Sequence, residues 1–190
     1  MPPTLPAVRK IVCFTHATLD GFIDEPQNWS FEYTNEELQA YGLEMTLAAD
    51  ALLLGRVTYE GMATAWPTRS GNPFADHVNA ITKYVVATQP VDTTAWEPAV
   101  VIPGADLVGE VKKLKEADGG DILIWGTGQL TDALAAAGLL DEYRIATVPV
   151  VKGDGEPLFR KASAGTLELL DTRTFTTGAV IHAYHPTSTP

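Results

Sequence analysis

Short apolar runs alternate with stretches long enough to form helices, and this alternation limits the possible folds more than any other feature of the chain. The runs have the length and composition of buried strands and occupy residues 11–14, 51–54, 84–87 and 122–125. Parallel strands need helix-length crossovers, and the helices then cover both faces of the sheet. The pattern therefore predicts an α/β fold of three layers, with a mostly parallel sheet between helices.

The C-terminal part of the chain has a different pattern. Residues 166–175 and 179–185 are two β-rich segments joined by a short turn, which predicts an antiparallel β-hairpin at the edge of the sheet. Nothing in the composition divides the chain, so we expect a single domain over residues 1–190. Its core is expected from about residue 8 to residue 185, with loose ends at 1–6 and 186–190.

The first helix is predicted to begin at Thr34. Thr34 and Glu37 have the spacing of a capping box, in which the hydroxyl and the carboxylate each accept a hydrogen bond from a free backbone amide. Leu38, Tyr41 and Met45 would then form the apolar stripe of this helix.

Composition excludes several classes of function. The formal net charge of −11 is unsuited to a nucleic-acid partner, which needs a clustered basic surface. No apolar run approaches the ~20 residues of a membrane span, and the opening residues lack a secretion signal, so we expect a cytoplasmic protein with no membrane partner. Cys13 is the single cysteine and the histidines lack metal-ligand spacing, so neither an internal disulfide nor a metal site is expected.

Two predicted strands end in the same way, with a glycine and then a hydroxyl residue where a helix begins. They are Gly55-Arg56-Val57-Thr58 and Gly126-Thr127-Gly128. The first amides of a helix lack internal partners and carry a partial positive charge, so two such ends side by side would hold a pyrophosphate. Arg56 would serve an additional phosphate.

Each motif also has a simpler interpretation. A glycine followed by threonine is ordinary turn and helix-cap chemistry, and Arg56 can equally be a solvated surface arginine. The second motif is not the dinucleotide fingerprint, because Leu130 and Thr131 stand where its third glycine would fall.

Several segments occur in the order found in a known superfamily. They are residues 18–23, 54–60, 83–90, 122–130 and 138–144, followed by 148–155 with Leu158 and Phe159. In this order the chain resembles the dihydrofolate reductase-like superfamily. It is most similar to the branch that contains the C-terminal reductase domain of the bacterial riboflavin enzyme and its stand-alone relatives, and the resemblance runs from about residue 8 to residue 185.

The resemblance implies an NADPH cofactor and assigns residues to it. Arg56 favours NADPH over NADH, since the extra phosphate needs a cation. The positions that match the family's cofactor contacts are Ile23, Gly55, Arg56, Thr58, Thr88, Gln89, Gly126, Thr127, Gly128, Gln129 and Leu130.

The substrate side is less defined. Reduction of a C=N bond needs a proton donor or an ordered water, and the resemblance suggests Asp20 and Glu36 as catalytic candidates, with Trp29 over the substrate pocket. Asp20-Gly21 is equally a common turn pair. Folate enzymes bind the substrate carboxylate with an arginine where this chain has Thr82, so dihydrofolate is disfavoured. Three residues remain open as cations for a substrate phosphate: Arg69, His77 and Lys83.

Two hypotheses follow. The first is an NADPH-dependent reductase that transfers hydride to a small heterocyclic substrate, either pterin-like or pyrimidine-like. The second is a non-catalytic nucleotide-binding module on the same fold, acting as a sensor or partner protein. The resemblance also implies a homodimer, for which the C-terminal hairpin is a candidate edge.

Overall fold

The computed structural model describes residues 9–187, which form one eight-stranded sheet with the strand order β4-β3-β2-β5-β1-β6-β8-β7. Strands β1 to β6 are parallel, and β8 and β7 add an antiparallel pair at one edge. The strands are β1 (Ile11–Thr18), β2 (Ala49–Gly55), β3 (Thr82–Ala87), β4 (Ala99–Pro103), β5 (Asp121–Trp125), β6 (Glu142–Val148), β7 (Thr166–Thr174) and β8 (Val180–Thr187).

Within these residues, five α-helices cover the two faces of the sheet. They are α1 (Glu36–Ala48), α2 (Arg56–Ala63), α3 (Pro73–Ala80), α4 (Leu107–Glu116) and α5 (Gln129–Ala136). On one face α1, α2 and α3 bury Met45, Tyr59 and Val78 against the sheet. On the other, α4 and α5 bury Val111 and Leu134. The predicted three-layer α/β fold with an antiparallel C-terminal hairpin is therefore confirmed.

The N-terminus of α1 differs from the prediction. Asn35, not Thr34, caps the helix, because the Asn35 side-chain oxygen accepts from the backbone amide of Leu38 at 3.1 Å. The Thr34 hydroxyl donates instead to the carbonyl of Ser30 at 3.0 Å, where it closes a short 3₁₀ turn.

The ends of the chain are partly described. Pro186 and Thr187, expected to be loose, continue β8 opposite Leu167 and Thr166. The expected loose end at 1–6, and residues 188–190 of the other, lie outside the described residues. No helix within residues 9–187 is long and apolar enough to cross a membrane.

The strand order creates a crevice between β2 and β5. The chain leaves β2 towards β3 on one side and leaves β5 towards β6 on the other, so the two connections diverge. In open α/β sheets ligands bind at such a point, beyond the carboxyl ends of the strands. The two glycine-terminated strand ends of the sequence, Gly55 and Trp125-Gly126, lie at this crevice.

Candidate cofactor and substrate site

A cleft of about 850 Å³ opens at the carboxyl ends of β2, β3 and β5. All of the residues predicted to bind the cofactor line it except Ile23 and Gln89. Gln89 is exposed directly after Thr88, which does line the cleft. Ile23 is half-buried, packs against the core beneath α4 and α5, and donates its amide to the carbonyl of Glu156 at 2.9 Å.

The β2 end supplies a helix N-terminus and a guanidinium. Gly55 is the extended N-cap of α2, and a methyl group added there would meet nothing within 4 Å, so the backbone is open to a ligand. The Nη1 atom of Arg56 donates to both carboxylate oxygens of Glu60, at 2.8 and 2.9 Å. Any anion that Arg56 binds must compete with this partner.

The β5 end is a tight glycine turn. Gly126 has φ +82°, a conformation that favours glycine, and its amide donates to the carbonyl of Phe14 at 2.8 Å. The Thr131 hydroxyl accepts from the amide of Gly128 at 2.9 Å and so caps α5 from within. The Thr127 hydroxyl donates to the carbonyl of Leu158 at 2.7 Å. The turn is therefore held from both sides before any ligand arrives.

A second arginine, Arg160, also lines the cleft. The sequence patterns did not single out this residue. Arg160 reaches over the glycine turn, and a methyl group added to Gly128 would lie 3.8 Å from its Nη2 atom. The same atom donates to Asp132 at 2.9 Å, and Nη1 lies 3.3 Å from a carboxylate oxygen of Glu156. No local motif marks Arg160, because the fold beyond β6 brings it here.

Residues 152–163, here called the strap, carry Arg160 and are joined to the loop after β1. The Asp24 carboxylate pairs with the ammonium group of Lys152 and accepts from the amide of Glu156 at 2.8 Å. The amide of Leu158 donates to the carbonyl of Gly21 at 2.8 Å. The strap and this loop therefore form one flank of the cleft.

Aromatic side chains form a wall beside the β5 end. Trp125, which lines the cleft, lies 5.4 Å from Trp66 and stacks on Phe74 at 6.1 Å between ring centroids. Phe14 stands opposite Trp125 in the sheet register and is half-buried. Such a wall suits a planar aromatic ligand, which stacks on it with little loss of conformational freedom.

Comparison with known proteins identifies the family. Residues 9–181 match the model of the RibD C-terminal domain family. The chain belongs to this family. It is also 30% identical over 185 residues to the uncharacterized protein YyaP of Bacillus subtilis (strain 168), a match that covers 93% of this chain and 95% of YyaP. The family suggested by the sequence is confirmed.

Solved structures share the fold at lower identity. A protein from Shewanella sp. PV-4, described as a candidate riboflavin biosynthesis protein, has a TM-score of 0.70 and 18% identity, over 94% of this chain and 99% of that one. Dihydrofolate reductase from Enterococcus faecalis, complexed with NADP(H) and RAB-propyl, has a TM-score of 0.64 and 16% identity, over 97% of this chain and 100% of that one. These structures show that the chain has a dihydrofolate reductase-like fold.

Asp20 lies in the loop after β1 and is fully engaged there. Its carboxylate accepts from the Thr18 hydroxyl at 2.6 Å and from the amides of Lys152 and Gly153 at 3.1 and 2.7 Å. These hydrogen bonds, that of Thr18 first, lower the pKa of Asp20 to about 2. Asp20 is thus a carboxylate at neutral pH that ties the strap to the loop after β1.

The structure does not bring Glu36 to the cleft. Glu36 is exposed in the first turn of α1, and at 100° per residue it lies on the face opposite buried Leu38. Trp29 is half-buried, and its indole N–H donates to the carbonyl of Asp24 at 2.9 Å. Trp29 therefore braces the loop after β1 while it packs against the same buried cluster as Phe14.

The three residues left open as cations for a substrate phosphate lie in different environments. Lys83 is buried, and its ammonium group donates to the carbonyl of Asn79 at 2.6 Å. It is therefore a structural residue of the core. His77 places Nε2 2.7 Å from the carbonyl of Ala49. Arg69 is exposed, and its guanidinium lies 4.8 Å from the centroid of the Trp66 ring. Of the three, Arg69 is the one placed at the aromatic wall.

Proposed function

We propose that this chain is a single-domain, NADPH-dependent reductase of a small planar heterocycle, pterin-like or pyrimidine-like. The observation that carries the proposal is the cleft at the divergence of β2 and β5, where two glycine-terminated strand ends lie side by side and Arg56 and Arg160 both line the opening. Membership of the RibD C-terminal domain family supports an oxidoreductase in general.

The residues of the cleft fit the cofactor. The helix N-termini after Gly55 and Gly128 offer amides to a pyrophosphate, and Arg160 adds a guanidinium beside the glycine turn. Arg56, with Thr58 and the nearby Thr88, would receive the additional phosphate of NADPH. When bound, the nicotinamide supplies the hydride. Trp125 at the end of β5 then provides an apolar surface against which a planar substrate can lie.

The proton needs a separate source. Among the described residues that line the cleft, the ionisable side chains are Arg56, Glu156 and Arg160, and neither arginine gives up a proton near neutral pH. Asp20 stays charged down to about pH 2, so we assign it to positioning the strap. Glu36 receives no role because it faces solvent. We propose that water delivers the proton, in line with ordered water as one of the two expected sources.

The same set of cleft residues favours one alternative, a nucleotide-binding module that catalyses no reaction. Such a protein would bind NADPH through Arg56 and Arg160 but would need no proton donor beside the nicotinamide. It would serve as a sensor or partner protein. The two functions make opposite predictions for cofactor oxidation.

Thermal unfolding in the presence of nucleotides tests the proposal. At NADPH one hundred times its dissociation constant, the folded protein gains about 2.7 kcal/mol and its Tm rises by several degrees. NADPH absorbance is then followed with pterins and pyrimidines as acceptors. The absence of a Tm shift with millimolar NADPH or NADP⁺ contradicts both functions. A Tm shift without NADPH oxidation in the presence of any acceptor supports the non-catalytic binding module instead.

Two further properties belong to this proposal. With Thr82 in place of the folate enzymes' arginine, dihydrofolate is not the proposed substrate. We also propose a homodimer through the β7 edge of the sheet, because Leu169 and Leu170 are 54% and 49% exposed there. The partners of the protein would then be a small substrate and a second copy of itself.

A further inference from the structure

Within residues 9–187, one buried side-chain polar atom on β1 has no hydrogen-bond partner. Among side-chain nitrogens and oxygens sealed from solvent in residues 9–187, this atom is Nδ1 of His16. Leaving such an atom unpaired costs free energy, and proteins satisfy the great majority of them. An unpaired atom beside a binding site is therefore a candidate for pairing with the ligand.

His16 lies at the carboxyl edge of the sheet, next to the aromatic wall. It follows Phe14 by two residues on β1, so both rings face the same side of the sheet, and they meet edge-to-face at 5.2 Å. Phe14 is opposite Trp125, the last residue of β5, where the chain turns away at Gly126. Because β5 ends there, no strand covers His16 on that flank. The residue as a whole remains partly exposed.

On the side of β6, the neighbours of His16 are apolar. Its register partner in β6 is Ala146, which is buried with Leu38 and Val148. Burial lowers the pKa of His16 to about 4, so the imidazole is neutral at pH 7 and offers one N–H donor and one acceptor. A neutral ring of this kind matches an uncharged N–H or C=O edge and has no charge to offer a phosphate.

We propose that His16 is a specificity-determining residue that hydrogen-bonds the lactam edge, N–H beside C=O, of a planar heterocycle stacked at Phe14 and Trp125. This inference rests on the proposed reductase function and narrows its substrate class. Rings with a neutral lactam are preferred over rings of the same shape in which the ring nitrogens carry methyl groups. The imidazole supplies direction, while the aromatic rings supply most of the apolar contact.

Binding of 5,6-diaminouracil in the presence of saturating NADP⁺ tests this role. Tryptophan fluorescence reports the binding, because Trp125 and Trp66 lie at the wall. His16→Leu should weaken 5,6-diaminouracil binding about tenfold and should abolish the preference over 5,6-diamino-1,3-dimethyluracil. His16→Gln, which keeps a donor and an acceptor, should restore part of that preference.

His185→Leu is the matched control. His185 lies at the opposite end of the sheet, where its Nδ1 is 2.8 Å from the carbonyl of Asp141, and the substitution should leave both uracils unchanged. The NADPH-induced Tm shift is measured on every variant. A protein that gains no stability from NADPH contradicts the proposed function itself. If NADPH binds but wild type does not prefer 5,6-diaminouracil, or His16→Leu keeps the preference, His16 does not select the substrate.

Discussion

Arg56 begins α2 with its guanidinium already paired to Glu60, one turn further along the same helix. Both side chains are partly exposed, so the pair contributes little to stability. In the proposed function, the Glu60 carboxylate competes with the cofactor phosphate for the Arg56 guanidinium. The discrimination between NADPH and NADH should therefore depend on both residues.

Arg56→Ala should weaken NADPH binding by about 10- to 100-fold and leave NADH binding unchanged, because a charge-assisted contact to the extra phosphate is lost. Glu60→Gln should tighten NADPH binding, since it frees the guanidinium. Titration calorimetry with both cofactors measures these effects, with Arg69→Ala as a control because Arg69 does not line the cleft. Equal losses for NADPH and NADH would instead place Arg56 on the pyrophosphate.

Residues differ in how far the sequence reveals them. Gly55, Arg56 and the 126–130 turn could be predicted because each strand end is a local pattern of glycine, hydroxyl and helix start. Arg160 could not, since its position depends on the strap, whose ion pair from Lys152 to Asp24 joins residues 128 positions apart. Local patterns contain no information on such contacts.

Among the described strands, β7 has the largest share of solvent-exposed residues. It is an edge strand, and almost every residue in it is exposed. An uncovered edge with exposed leucines presents free backbone groups and apolar side chains together. β4, the opposite edge, is shorter and carries Val100 with the same 49% exposure as Leu170.

A charge on β7 should therefore break the proposed homodimer. Leu169→Lys and Leu170→Lys should convert the dimer to a monomer in analytical ultracentrifugation, because each buries an unpaired charge in the interface. Val100→Lys should leave the dimer intact. A wild-type monomer at all concentrations, or dissociation by Val100→Lys instead, would show that β7 is not the interface.

Element boundaries are less predictable than element types. The sequence correctly gives a helix after residue 34, but Thr34 and Asn35 are adjacent residues that both cap helices well. The structure selects Asn35 because the Thr34 hydroxyl is occupied by the preceding turn at Ser30. The choice depends on how the loop after β1 packs, which periodicity does not encode.

For the molecule as a whole, the buried Lys83 couples stability to pH. Burial lowers its pKa to about 8 from an ordinary value of 10.5. Between these values the unfolded chain binds the proton and the folded protein does not, so the free energy of unfolding due to Lys83 rises with pH.

Lys83→Met should remove this dependence. The difference in unfolding free energy, wild type minus Lys83→Met, should grow by about 2–3 kcal/mol between pH 7.5 and pH 10.5, as measured by urea denaturation. Lys113→Met is the control. Glu110 raises the pKa of exposed Lys113, so the contribution of Lys113 to stability is lost as pH rises, which is the opposite direction. A constant difference for Lys83→Met would show that burial does not lower the pKa of Lys83 in the folded protein.

The overall architecture could be predicted further than the site. Runs of apolar residues separated by helix-length segments determine the layers, and the hairpin at the C-terminus follows from its short turn. The strand order does not follow from these patterns. Neither does the orphan nitrogen of His16, because a histidine in an apolar strand looks the same whether or not its ring finds a partner.

The central position of β1 has a consequence for synthesis and for fragments. Both of its neighbours, β5 and β6, come from beyond residue 120, so the middle of the sheet cannot close while those residues are still in the ribosome. A chain divided between β4 and β5 would likewise leave Gly55 on one fragment and Gly126 on the other. With nucleotide bound as proposed, binding would then report that the two fragments have associated, and the molecule would suit complementation assays.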